Sequence, residues 1–150
     1  MVARTVKAEL ADLPGLYERM REQRLLRRVV KGGGSYAEFL AIHEQRGPLC
    51  LEVLPNGDVA GFWWVTGFYA QAVCFHACLF KPWRRLAPAL FAGIRDRLFR
   101  AGATDIFVCV EDRYPDLGRF CAGAGLKEIT RIGQEVVVWA AAAAATQIPS

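Results

Sequence analysis

Apolar residues recur along this chain with two periods, one near 3.6 residues and one near 2, and each change of period marks a new element. Arg4 to Glu9 reads as a short first strand. Asp12 then offers a helix N-cap with Pro14 in the first turn, and Leu13, Leu16, Tyr17 and Met20 make one apolar helical face. Beyond Arg24, the residues Leu26, Val29 and Val30 fall on roughly the opposite side of the wheel, so the helix breaks or re-aims near Gln23. Lys31-Gly32-Gly33-Gly34 reads as a flexible connector. Ser35-Tyr36-Ala37-Glu38 has capping-box spacing, and Tyr36, Phe39, Leu40 and His43 follow at helical intervals. His43 shares that apolar face, where a packed or hydrogen-bonded role is expected.

From Leu49 the period drops to 2. Leu49 to Leu54, the turn Pro55-Asn56-Gly57-Asp58, and Val59 to Phe68 make an antiparallel hairpin about an Asn-Gly turn. Both faces of its second strand are largely apolar, so the sheet there is covered on both sides. A third strand follows from Ala72 to Phe80. A helix from about Ala87 to Ala101 turns Leu90, Phe91, Ile94 and Leu98 inward and Arg95, Asp96, Arg97 and Arg100 outward, and Gly102 ends it. Thr104 to Val110 is then a strand after a helix, the arrangement of a parallel crossover, with Glu111-Asp112-Arg113 at its polar C-terminal end. Tyr114 to Ala122 forms a short helix, Lys127 to Arg131 and Gln134 to Trp139 form a last hairpin, and residues 140–150 read as an alanine-rich tail after one domain spanning 1–139.

Composition narrows what such a domain does. Its 150 residues, 53% of them hydrophobic, suffice for one sizeable core. The net charge of +4 favours an anionic ligand, and no zinc-finger, homeodomain or RNA-binding signature accompanies it. Nucleic acid would be met, if at all, through Arg21, Arg24, Arg28 and Lys31, a spacing that a solvated helix face also produces. Val59 to Phe80 carries no charge and is long enough to span a bilayer, but its aromatic and β-branched density and its interruption by Gly67 and Gln71 favour two strands over a membrane helix. Five cysteines, odd in number and mostly within apolar runs, suit thiols in a reducing, cytoplasmic compartment. Cys74, His76 and Cys78 alternate onto one strand face, yet such residues rarely converge on one ion and no fourth ligand follows, so no metal is expected.

The stretch from Phe80 to Leu90 carries the chemistry. A strand entering the first turn of a helix leaves amide N–H groups without intrahelical partners, a setting for phosphate. Arg84 and Arg85 add charge, and Ala87 and Ala89 keep side chains small beside the backbone, while Pro88 removes one donor.

With this turn, the element order resembles the GNAT superfamily of acyl-CoA-dependent N-acetyltransferases. The family's Arg/Gln-x-x-Gly-x-Gly/Ala loop is matched by Arg84-Arg85-Leu86-Ala87-Pro88-Ala89 after Pro82, with Ala87 in place of the first glycine. Its later Asn-x-x-Ala-x-x-Leu-Tyr motif and Gly-Phe pair are matched in spacing by Tyr114, Leu117, Phe120, Cys121 and Gly125-Leu126. Phage- and prophage-encoded GNAT-like proteins are the nearest in pattern. The resemblance implies an α/β (α+β) fold with a single mixed central sheet, antiparallel in its first half, a parallel strand pair at the acyl-CoA site and helices on both faces. It implies acetyl-CoA (acyl-CoA) as co-substrate without a metal, Leu79 and Phe80 along the pantetheine, and Arg84, Arg85, Leu86, Ala87, Ala89 and Tyr114 about the rest of the cofactor. A small-molecule or protein amine is the implied acceptor, and homodimers are common in the family. Direct attack of that amine needs a base, for which Glu111 and His76 are the candidates, and an acid, a position that Cys121 holds. The substituted motif positions also suit a non-catalytic acyl-CoA-binding or phage-associated assembly protein.

Overall fold

In the computed structural model, which describes residues 3–30, 34–45 and 47–143 and only the backbone of Tyr69, seven strands form one sheet. They are β1 (Arg4–Lys7), β2 (Cys50–Val53), β3 (Val59–Tyr69), β4 (Ala72–Leu79), β5 (Asp105–Glu111), β6 (Lys127–Ile132) and β7 (Val136–Ala142), in the spatial order β1-β2-β3-β4-β5-β7-β6. The helices are α1 (Leu13–Glu22), α2 (Leu26–Val29), α3 (Tyr36–Gln45), α4 (Ala87–Arg100) and α5 (Pro115–Gly123). β4 and β5 are parallel, and β1 with β2, β2 with β3, and β7 with both β5 and β6 are antiparallel. The mixed sheet with one parallel pair is therefore as expected. Within the span from Val59 to Phe80, Val59–Tyr69 and Ala72–Leu79 are strands, and among the described residues no helix is long and apolar enough to cross a membrane. Lys31–Gly33 of the connector, and with them Lys31 of the basic helical spacing, lie outside the described residues, as do positions 144–150 of the tail.

The chain divides into two compact units, residues 1–65 with 77–85 and residues 66–76 with 86–150. In the first, Leu13, Leu16 and Met20 of α1 meet Phe39 of α3 and Phe62 and Trp64 of β3 in one buried cluster. The rings of Phe39 and Phe62 lie 5.8 Å apart, edge to face, a favoured aromatic geometry. The helical pattern does re-aim where its apolar face changes side: α1 ends at Glu22, Arg24 takes φ 59°, and α2 starts at Leu26. A non-glycine residue in that left-handed region costs about 1–2 kcal/mol, which burial of Leu25 and Val29 offsets. The capping box forms, with the Glu38 N–H donating to Ser35 Oγ at 3.2 Å and the Ser35 N–H to Glu38 Oε1 at 3.5 Å. His43 Nδ1 accepts the Leu49 N–H at 3.3 Å, the structural role expected of it. Gly57, at φ 91°, makes the hairpin turn and donates to the Leu54 carbonyl at 2.8 Å.

One feature of this unit has no counterpart in the periodicity. Glu52, 2% exposed, is a buried carboxylate that accepts from the Thr5 hydroxyl and, at 3.5 Å, from Trp63 Nε1. Its neighbours are hydrogen-bond donors, as a buried charge requires.

The second unit is built on β5. Ile106, Val108 and Val110 are buried, while Phe107 and Glu111 are half-buried and Cys109 is exposed, so the strand alternates with period 2. Phe75 of β4 meets Phe91 of α4 with ring centroids 6.3 Å apart, and Phe91 in turn meets Phe120 of α5 at 6.2 Å. Leu90, Ile94 and Leu98 are buried beside them, as the helical spacing requires. Arg95, expected outward, instead turns its guanidinium onto the Ala124 carbonyl. The alanine run also departs from expectation at its start: Ala140, Ala141 and Ala142 belong to β7, opposite Phe107, Ile106 and Asp105, and the Ala143 N–H donates to the Thr104 carbonyl at 2.8 Å. Alanine is a poor strand former, but ladder hydrogen bonds to β5 override that preference.

In the first unit, a side chain on Gly61 of β3 would meet the Cys78 carbonyl and, at 3.0 Å, the Leu79 Cα, neither of which is the free end of a flexible group. Gly61→Ala is therefore expected to destabilise the fold by about 1–3 kcal/mol. Urea unfolding followed by far-UV circular dichroism checks this, and Gly93→Ala, in open space on α4, is the control that should not share the loss.

Candidate active site

The turn after β4 differs from the open cradle expected of it. Lys81–Leu86 is a six-residue 3₁₀ helix that runs directly into α4. In a 3₁₀ helix each amide donates to the carbonyl three residues back, so the N–H groups of this stretch are engaged along the run rather than presented to a ligand. At its start, where amides would be left over, the donors are also taken. The Phe80 N–H donates to the Ala60 carbonyl at 2.9 Å, the Lys81 N–H to Gln23 Oε1 at 2.7 Å, and the Trp83 N–H to the Phe80 carbonyl at 3.0 Å. Pro82 has none. The cause is local sequence: no glycine lies between Phe80 and Leu90, so no residue readily supplies the left-handed conformation an open loop needs, and the backbone stays helical.

Charge at the turn is carried by side chains. Arg85 is exposed and Arg84 half-buried, while Ala87 is buried and Ala89 exposed. Leu79 and Phe80 are buried in the first unit, and the Arg19 guanidinium lies 3.8 Å from the centre of the Phe80 ring. Arg19 also donates to the Val59 carbonyl at 2.9 Å, and burial lowers its pKa. Gln23 and Arg19, neither singled out in the sequence, thus fasten the end of α1 to the end of β4. Their separation of four residues on one helix was a usable signal; the distant partners were not.

At the end of β5, Glu111 Oε2 accepts from Arg113 Nε at 2.7 Å, which raises the arginine pKa, and Arg113 in turn lies 4.9 Å from the Tyr114 ring centre. Tyr114 caps α5, its N–H donating to the Glu111 carbonyl at 3.0 Å. Glu111, Tyr114, Gly118, Glu128, Arg131 and Trp139 are among the residues around a hollow of about 350 Å³. β4 and β5 pair in parallel through Ala72, Val73 and Cys74 opposite Asp105, Ile106 and Phe107. With Phe75 turned to α4, the alternation places Cys74 and His76 on the other face, together with Phe107, Cys109 and Glu111. The two candidate bases thus share one face of this unit. Cys121 is fully buried in α5, and burial pushes its thiol up to about 12.

No family model matches the chain, and no curated protein does. Among solved structures, AAC(6')-Ib in complex with paromomycin and acetyl-CoA superposes with a TM-score of 0.77 at 15% identity, covering 95% of this chain and 94% of its own. The spermidine N-acetyltransferase of Vibrio cholerae, in complex with CoA and spermine, gives 0.74 at 12% identity, covering 93% and 95%. The fold is the GNAT fold. At these identities the likeness lies in the backbone, and the side chains of the site are this chain's own.

Two outcomes are expected. Gln23→Ala should lower stability by about 0.5–1.5 kcal/mol and speed hydrogen exchange at the Lys81 amide, whereas Gln23→Glu, which keeps an acceptor, should not speed it. Cys78, like Cys121, is pushed by burial from an ordinary value of 9.0 to about 12. Between those values the unfolded chain loses protons that the folded one keeps, so stability falls as pH rises. Urea midpoints at neutral and alkaline pH should show this fall, and Cys121→Ala should flatten it.

Proposed function

We propose that the protein is an N-acyltransferase that passes the acetyl group of acetyl-CoA to an amine by direct attack. The observation that carries this reading is the placement of His76 and Glu111 on one face of a parallel strand pair in a GNAT fold. Acetyl-CoA supplies a thioester carbonyl and a thiolate leaving group. Glu111 or His76 takes the proton of the attacking amine, and the nitrogen–carbon bond forms as the carbon–sulfur bond breaks. A thiol with a pKa near 8.5 leaves readily as thiolate, so an acid is not essential, and a Cys121 thiol held near 12 is a poor donor to it. Cys121 is read as a packing residue. Leu79 and Phe80 flank the pantetheine, and the guanidinium groups of Arg84 and Arg85, rather than an amide cradle, pair with the pyrophosphate beside Leu86, Ala87 and Ala89. Tyr114 stands by the cofactor at the start of α5. The acceptor is a small-molecule or protein amine.

The 3₁₀ turn favours a second reading. With its leading amides already bonded, the same fold could serve as a non-catalytic acyl-CoA-binding or phage-associated assembly protein.

Titration calorimetry with acetyl-CoA tests the cofactor site, and turnover with amines then decides between the enzyme and a protein that only binds acyl-CoA. Wild type is expected to bind at micromolar concentration, and the Arg84→Ala, Arg85→Ala double mutant at least about tenfold more weakly, since each charge-assisted contact contributes about 1.5–3 kcal/mol. Turnover with a panel of amines should then fall by about 10²–10⁴ in the variant lacking both bases, Glu111→Gln with His76→Asn. A folded wild type that binds no acetyl-CoA, or unchanged turnover in the base variant, would overturn the enzymatic reading.

A further inference from the structure

Two thiols meet on the open face of the second unit. Cys74 occupies the last pair of the parallel ladder, opposite Phe107, and Cys109 stands two residues beyond Phe107 on the same side of β5. The two are near enough that Cys74 helps to raise the Cys109 pKa. Cys109 is exposed and Cys74 half-buried, so small solutes reach them, whereas Cys78 and Cys121 are buried. His76 follows Cys74 by two positions and Glu111 follows Cys109 by two, so each proposed base shares a strand and a face with one of the thiols.

We propose that Cys74 and Cys109 form an oxidisable pair, joined as a disulfide by hydroperoxides, that reversibly switches off chemistry at His76 and Glu111. The switch rests on the acyltransferase reading above; the disulfide itself does not.

The Cys109 thiolate attacks the O–O bond of a hydroperoxide. An S–O bond forms, the O–O bond breaks, and hydroxide or alkoxide leaves, so that sulfur is oxidised to a sulfenic acid by two electrons and the peroxide is reduced. The Cys74 sulfur then attacks the Cys109 sulfur. The S–S bond forms, the S–O bond breaks, and the Cys74 proton departs with the hydroxyl as water. Burial and the neighbouring thiol both favour the protonated form of Cys109, so its proton passes to solvent before the attack, only the small thiolate fraction reacts, and oxidation quickens as pH rises.

Strand geometry explains why such a bond would act as a switch. Diagonal neighbours on adjacent strands stand about 7–8 Å apart, whereas a disulfide needs about 4.4–6.8 Å between Cα atoms. Forming the bond must therefore draw β4 and β5 together, and it can, because the ladder pairs end at Cys74. The resulting strain makes the bond easily reduced, the property that separates regulatory from structural disulfides. Pulling on Cys74 and Cys109 displaces His76 and Glu111 with them, and a shift of about 1 Å in reacting groups costs on the order of 10²-fold in rate.

The test treats the full chain with hydrogen peroxide and then with dithiothreitol. Free thiols counted after denaturation should fall from five to three, the mass should drop by two hydrogens, and peptide mapping should join Cys74 to Cys109. Acetyl-CoA turnover should fall at least about tenfold and return on reduction. Cys74→Ser and Cys109→Ser should each keep basal turnover and show neither the link nor the reversible loss. Five remaining thiols, oxygen adducts without a link, or a link between chains would overturn the pair. A Cys74–Cys109 link that leaves turnover unchanged would overturn the switch. Absence of turnover in reduced protein would count against the acyltransferase reading and the switch alike, while thiol counting would still judge the disulfide.

Discussion

Backbone amides at the end of β4 must find acceptors, and the way this chain satisfies them sets the character of its site. The Phe80 amide goes to Ala60, the next goes to the side chain of Gln23 just past α1, and the third closes the first 3₁₀ turn. An unpaired buried amide costs about 1–3 kcal/mol, so a chain that cannot hold its donors open for a ligand bonds them internally. Glycine is what would hold them open. With alanine and proline at positions 87 and 88, the helix extends back to Lys81, and charge at the turn is carried by the arginine side chains. Backbone cradles are rigid and direct; guanidinium groups carry more charge and more freedom, so such a site trades geometric precision for electrostatic reach.

A second constraint acts on the second unit. Its helices pack against the face that carries Phe75, Ile106, Val108 and Val110, and this leaves the alternate residues of β5 turned to solvent or only half covered. Period-2 alternation then gathers Cys74, His76, Phe107, Cys109 and Glu111 without any of them needing a special loop. A site built on strands is positioned by ladder hydrogen bonds, more precise than a site on loops. Where the ladder stops, that precision becomes adjustable.

Much of this was legible in the sequence. The Asn-Gly hairpin, the capping box at Ser35, the re-aimed helix at Gln23 and the parallel crossover each follow from a local signal with a physical cause, and each is present. What escaped were pairings between residues far apart in sequence. Nothing near Gln23 announces that its side chain caps residue 81, and nothing near Cys109 announces that Cys74 is its neighbour. Nothing in the local sequence sets Glu52 apart from an ordinary strand residue, because its donors, Thr5 and Trp63, come from two other strands. For the alanines after Trp139 propensity is the only local guide and points to a tail, whereas hydrogen bonds to β5 make strand of the first three.

The same division explains why solved structures match where curated sequences do not. Apolar spacing tolerates exchange of one hydrophobic residue for another, so a sheet order and its helices persist at 12–15% identity. Polar residues at a site have no such tolerance, since each must meet a particular donor, acceptor or charge. Departures from a family pattern at Ala87, Pro88 and Cys121 are therefore more informative than the many departures in the core. The first two replace an open loop by a helix, which alters how an anion can be held. The third sets a buried thiol, pushed up to about 12 by its burial, where it packs rather than donates a proton. On the acyltransferase reading proposed above, each change would suit chemistry that depends on placing an amine beside a thioester more than on strong acid–base assistance, and placement is what a parallel strand pair provides.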